Sequence, residues 1–175
     1  MRTILLTGLF LALSIAPAHA QAPAPGPTEQ SLFNEGQRAY NSGSYAKAID
    51  LFTQALKLDP SDLNAYLQRG FCHSLSGEYD LAIADFTSVI DRKKDHIWAY
   101  ISRGSAYKKA GKFDLALKDF DTVLQMDPRN EEAFNNRGWT YKSMGNAELA
   151  CEDWTASKKM GNDEARVILK NNNCK

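Results

Sequence analysis

Beyond its first twenty residues the chain holds three cysteines, Cys72, Cys151 and Cys174, and two histidines, His73 and His96. Three thiols allow at most one disulfide and leave one cysteine free. The histidines stand at neither HExxH nor any other metal-ligand spacing. The sequence contains no Gly-rich phosphate loop and no GxSxG elbow. These residues predict neither a catalytic centre nor a metal site, and no cofactor is expected. A second set has more regular spacing. Arg69, Arg103 and Arg137 each precede a glycine, while Asp85, Asp119 and Asp153 each precede an aromatic residue. The corresponding first stretch has Glu35 and Leu51 and lacks both members. Joint presence and joint absence predict that each Arg meets the Asp of its own unit. A guanidinium fork suits such a carboxylate bidentately, and the pair is read as structural rather than as a binding site.

Composition narrows the classes of function. Lys+Arg and Asp+Glu both number 21, so no charge excess points to nucleic acid or to an anionic membrane surface. The first twenty residues, MRTILLTGLFLALSIAPAHA, start with Arg2, continue apolar from Ile4 to Ile15 and end in Ala18-His19-Ala20. That order predicts a secretory signal peptide of bacterial type over 1–20, cut after Ala20. The apolar run is too short to cross a bilayer comfortably, so no membrane span is expected in the mature chain. A periplasmic or secreted location follows, where thiols oxidise. Residues 21–28, QAPAPGPT, hold three prolines and no large apolar side chain, and read as a linker. Thr28 then offers an N-cap.

The elements that place these side chains emerge from a period. Gly36, Gly70, Gly104 and Gly138 are each 34 apart, as are Gly43, Gly77, Gly111 and Gly145. Ala48, Ala82, Ala116 and Ala150 keep the same spacing, and so do Phe52, Phe86, Phe120 and Trp154. In the block 97–130, Ile97, Tyr100, Gly104 and Tyr107 form one helical stripe. Lys108-Lys109-Ala110-Gly111 closes that helix. Phe113, Ala116, Leu117, Phe120, Val123 and Leu124 form a second stripe, which Asp127-Pro128 stops. Each block is therefore two antiparallel helices joined by a short turn. The recurring mid-helix glycine predicts close helix–helix approach.

The pattern of Tyr100, Gly104, Tyr107, Ala116, Phe120 and Pro128 resembles the tetratricopeptide repeat. The resemblance covers residues 29–164 as four blocks, 29–62, 63–96, 97–130 and 131–164, with a capping helix in 165–175. It departs at Lys94, Ala147 and Leu32, where other blocks carry Pro, an aromatic and an aromatic. The fold expected is an all-α solenoid of four 34-residue helix-turn-helix repeats plus a C-terminal capping helix.

Such arrays bind along a continuous concave surface. The resemblance implies that each first helix lines it. The stripe beside the packing stripe comprises Gln30, Phe33, Gln37 and Tyr40, then Asn64, Leu67, Phe71 and Ser74. It continues with Trp98, Ile101, Ser105 and Lys108, then Glu132, Asn135, Trp139 and Lys142. These columns vary where the glycine columns do not, and they are rich in large apolar groups. A groove for an extended or helical segment of another protein is expected, with Lys108, Lys109 and Lys142 favouring an acidic flank. Self-association through the same groove into a homo-oligomer is the second reading. A carboxylate clamp of the kind some family members use is not expected, because its positions hold Phe33, Gln37, Gln68, Trp98 and Ser102.

The array must also end. Asn162-Asp163 can cap a last helix carrying Ala165, Ile168 and Leu169. Two antiparallel helices that turn near 161–163 bring together positions whose numbers sum to about 325, as those of Cys151 and Cys174 do. At 1.5 Å per residue both lie roughly 15–18 Å from the turn. A Cys151–Cys174 disulfide is predicted. The same register sets Ile49 opposite Cys72, which is expected to be a buried, inert thiol.

Overall fold

The computed structural model describes residues 26–174. The expected signal peptide and most of the linker fall outside this range, as does Lys175. Within it the order is α1 (Glu29–Asn41), α2 (Tyr45–Leu58), α3 (Leu63–Leu75), α4 (Tyr79–Arg92), α5 (Ile97–Lys109), α6 (Phe113–Met126), α7 (Glu131–Ser143), α8 (Ala147–Met160) and α9 (Glu164–Asn171). The described residues contain no strand. Successive helices pack as antiparallel neighbours, α1 on α2 through α8 on α9, and each second helix also packs on the first helix of the next block. The result is an all-α solenoid. None of these helices is long and apolar enough to cross a membrane.

Local chemistry sets the helix ends. Thr28 Oγ1 accepts from the Ser31 amide, and Ser31 Oγ accepts from the Thr28 amide in return. Asp62, His96 and Asn130 cap α3, α5 and α7 through their side chains. Asn162 rather than Asp163 supplies the side-chain cap before α9, accepting from the Ala165 amide. The hairpin within the third block turns at Gly111, whose φ of +74° would strain any L side chain.

The mid-helix glycines have a direct steric cause. A Cβ on Gly104 would sit 2.8 Å from Phe120 Cε1, and one on Gly36 or Gly70 would meet Phe52 or Phe86 equally closely. At Gly138 the atom met is Trp154 Nε1, at 2.7 Å. Each second-helix ring is fully buried in the notch its glycine opens. The aromatic and glycine columns are therefore two halves of one contact.

Block four departs from this apolar plan. Trp154 replaces Phe, and its Nε1 is buried without an acceptor. Asn135 stands in the column of Phe33, Leu67 and Ile101, and its side-chain oxygen is buried without a donor. Each unpaired group costs about 1–3 kcal/mol. The block with these costs also carries the covalent link. Cys151 and Cys174 are disulfide-bonded, with Cα atoms 5.5 Å apart. Closing a loop of that sequence separation stabilises by about 3 kcal/mol.

Cys72 is fully buried in the cluster formed by Leu32, Phe52 and Ala55, with Ile49 packed against it. Burial pushes its thiol from an ordinary 9.0 up to about 11. The folded protein therefore holds this proton where the unfolded chain releases it. The stability tied to the thiol is full below about pH 9 and is lost as pH rises toward 11, to a total of roughly 2–3 kcal/mol. Urea unfolding at pH 8 and pH 10.5 checks this. Wild type should lose about 2 kcal/mol more across that interval than Cys72→Ala. Equal losses would mean that the thiol is not protected.

Candidate groove and its ion-pair frame

The first helices α3, α5 and α7 are each tied to the second helices on either side by one arginine. Arg103 donates from Nε to Asp119 Oδ2 at 2.9 Å and from Nη2 to Asp119 Oδ1 at 2.8 Å. Arg69 grips Asp85 in the same way at 2.8 and 2.6 Å, and Arg137 grips Asp153 at 2.9 and 2.7 Å. All three aspartates are buried. Each arginine has a further contact that the sequence reading missed. Its Nη1 reaches back into the preceding block, to Thr53 at 3.1 Å, Thr87 at 3.1 Å and Asp121 at 2.6 Å respectively. The signal is a spacing of 16 on both sides of each Arg. The guanidinium of Arg103 also lies 5.5 Å from the Tyr100 ring centre and 5.8 Å from that of Tyr107. At Arg137 the hydrogen bonds donated to Asp153 outweigh burial and push the pKa further up. These charges are paired within the frame.

His73 takes the column that Tyr107 and Tyr141 fill in later blocks. It is buried, with Nδ1 2.6 Å from Glu78 Oε2 and Nε2 3.9 Å from Asp85 Oδ2. Among the described residues no three His, Cys, Asp or Glu side chains cluster so as to hold a metal ion.

On the concave stripe the residues differ in exposure. Trp98 stands out, 60% exposed. Phe33, Gln37, Tyr40, Leu67, Phe71, Lys108, Asn135 and Trp139 are half-buried, and Lys142 is exposed. Ile101 corrects the sequence expectation. It is only 4% exposed and packs with Val123 and Ala133, because α7 closes over that side of α5. It can serve the groove as floor, not as an exposed anchor. Several of the aromatics are anchored from beneath. Phe71 lies edge-on to Phe86 at 5.4 Å and Trp139 to Trp154 at 4.9 Å, while Phe33 is tilted against Phe52 at 5.5 Å. Tyr40 is tilted against Tyr45 at 5.9 Å. Phe33, Phe71 and Trp139 therefore rest on rings that fill the glycine notches.

Between blocks two, three and four the groove deepens into a cavity of about 240 Å³. Phe71, Phe86 and Ile101 give it an apolar floor, Trp98 stands at its edge, and Ser74, Ser102, Ser105 and Glu132 supply polar atoms. A second hollow, about 560 Å³, lies by Phe33 and Asn64 and is bordered by Glu29, Asp59 and Asp62. The opposite edge, at the C-terminal ends of α5 and α7, is basic. Burial, helped by Lys109, holds the Lys108 ammonium below the usual lysine range. Lys109 lies 5.9 Å from the Tyr79 ring centre. Lys142 Nζ lies 5.0 Å from the Trp139 ring centre and donates to Asn172 Oδ1. Burial, with Glu131 nearby, pushes the Glu132 carboxyl up.

Stacked helix pairs with a groove along their first helices define an α-solenoid repeat protein. Models of the tetratricopeptide repeat match residues 30–62, 51–84, 97–130 and 120–152, and the chain belongs to the tetratricopeptide repeat family. No curated protein is significantly similar in sequence. Among solved structures, the chain is similar to YrrB, described as a TPR protein with an unusual peptide-binding site. The TM-score is 0.73 at 22% identity, over 82% of this chain and 74% of that one. It is also similar to MamA (41-end) from Desulfovibrio magneticus RS-1, with TM-score 0.72 at 21% identity, over 77% of each chain. A third likeness is to the first TPR of Spaghetti (RPAP3), bound to the HSP90 peptide SRMEEVD. Its TM-score is 0.63 at 24% identity, over 67% of this chain and 94% of that one. At these identities the likeness shows the fold.

Proposed function

We propose that this protein is a non-catalytic interaction module of the cell envelope that binds a segment of another protein in its concave groove. The observation that carries the reading is the cavity of about 240 Å³ on that surface, with an apolar floor and the exposed Trp98 at its edge. It has room for one bulky apolar side chain. An aromatic residue left in water beside such a cavity is a favoured anchor. The basic edge sets the neighbouring chemistry. Lys108 is desolvated, and Lys109 adds to its burden rather than relieving it. A carboxylate arriving there would supply the missing counter-charge. The partner segment is therefore apolar at one residue and acidic nearby. YrrB and the Spaghetti domain, whose descriptions name a peptide-binding site and a bound peptide, support peptide binding as a use of this fold. Export rests on residues 1–20 and on the disulfide, which persists in oxidising compartments.

Binding of periplasmic peptides to wild type, Trp98→Ala and Trp139→Ala tests the reading. Trp98→Ala should weaken binding about tenfold or more without loss of helix content. Trp139→Ala should weaken it too, and should also lower stability through its contact with Trp154. Unchanged affinity in both would remove the groove from the function. Light scattering belongs beside it: a wild-type oligomer that Trp98→Ala dissociates would assign the groove to self-association.

A further inference from the structure

The C-terminal tail does more than close the array. Asn172, two residues before Cys174, accepts a hydrogen bond from Lys142 Nζ, and the same ammonium lies over the Trp139 ring. Asn172 Nδ2 donates back to Ile168 O, which fixes its side-chain plane. We propose that the Cys151–Cys174 disulfide positions the basic end of the groove, holding Asn172 against Lys142 so that the cation stays over Trp139. The inference rests in part on the groove being a binding surface, but its geometric core does not.

Three facts make the disulfide the governing tether. α9 has only eight residues, too few to persist as a helix by itself. Ala165 is its one fully buried residue, Ile168 and Leu169 are half-buried, and Val167 is 59% exposed, so only a limited apolar area pins it to α8. The other first helices run thirteen residues, and α9 stops where their last turns would lie on α8. Cys174 supplies that missing anchorage covalently. Asn172 is also a neutral partner. It orients the ammonium without cancelling its charge, so Lys142 remains available to an anion while losing rotamer freedom in advance.

Reduction by a dithiol breaks the Cys151–Cys174 bond. Two electrons and two protons pass to the pair, giving two thiols, and the dithiol becomes a disulfide. The tail then loosens, Asn172 leaves Lys142, and the cation moves off Trp139. Affinity for an acidic segment should fall about three- to tenfold, the cost of ordering one long side chain on binding. Affinity for a neutral segment should hold.

The chain has three tryptophans, so ¹⁵N-labelled indoles give three separable NMR signals, and Trp139→Phe assigns the relevant one. Dithiothreitol should move the Trp139 signal to the position seen in Asn172→Ala and leave Trp98 in place. Cys151→Ser with Cys174→Ser should match it without reductant. If that variant fails to fold, Asn172→Ala with the disulfide intact still decides whether the tail holds the cation. A Trp139 signal that stays put, after alkylation shows two new thiols, overturns the proposal. In a second arm, acetyl-Leu-Glu-Glu-amide and acetyl-Leu-Gln-Gln-amide are titrated before and after reduction. The preference for the acidic peptide should shrink, and an unchanged preference counts against the device. If neither peptide binds oxidised protein, the groove reading fails, while the Trp139 signal still judges the positioning.

Discussion

Arg103→Met is expected to lower the unfolding free energy by about 3–5 kcal/mol. The loss is large because of what is left behind. Asp119 is 3% exposed and takes both guanidinium hydrogen bonds, so removing Arg103 strands a buried carboxylate. Thr87 loses its donor as well. The pair itself need not be worth that much. A double variant, Arg103→Met with Asp119→Leu, should recover most of the loss, because two apolar groups need no solvation. Urea unfolding of the two single variants and the double variant measures the coupling directly. A single-variant loss below about 1 kcal/mol, as at a surface ion pair, would show that water reaches the site. Helix content at low denaturant should be kept in all three.

The second large effect concerns the notch. Phe120→Ala should cost about 3–5 kcal/mol, since a fully buried ring leaves a void that rigid neighbouring helices cannot close. Gly104→Ala pushes the other way. Its new methyl meets the Phe120 ring at 2.8 Å, an overpacking of about 1–3 kcal/mol against roughly 1 kcal/mol gained in helix propensity. Together the two changes should cost less than their sum, because the methyl enters the space the ring vacated. Additive losses would show that Gly104 and Phe120 do not share one contact.

The repeat was legible because sterics act identically in every block. A glycine that must admit a ring leaves the same letter at the same interval, so Gly36 and Phe52 announce a contact that Gly104 and Phe120 repeat. The ion pairs were legible for a related reason, since block one omits both members at once. The backward contacts to Thr53, Thr87 and Asp121 were not. Thr and Asp share a role there that their letters conceal. The groove was the least legible part. Ile101 and Phe71 both belong to the lining stripe, yet only packing by α7 decides that one is buried and the other half-open. Asn135 could not be ranked either, because a polar letter in an apolar column does not say whether its oxygen faces water or core.

The backward contacts of the arginines also set how the array comes apart. Each guanidinium ties its own second helix to the one before, so the blocks form a line of links rather than four independent pairs. The line is uneven. Block one has Glu35 and Leu51 in place of the pair, and it is joined onward through Thr53 to Arg69. The far end is closed by a covalent bond. Opening should therefore begin at α1 and α2 and travel toward α8, so the molecule frays from one end only. In hydrogen exchange that polarity is a gradient of amide protection rising along the chain, with the groove's basic end and its two tryptophans on the slow side.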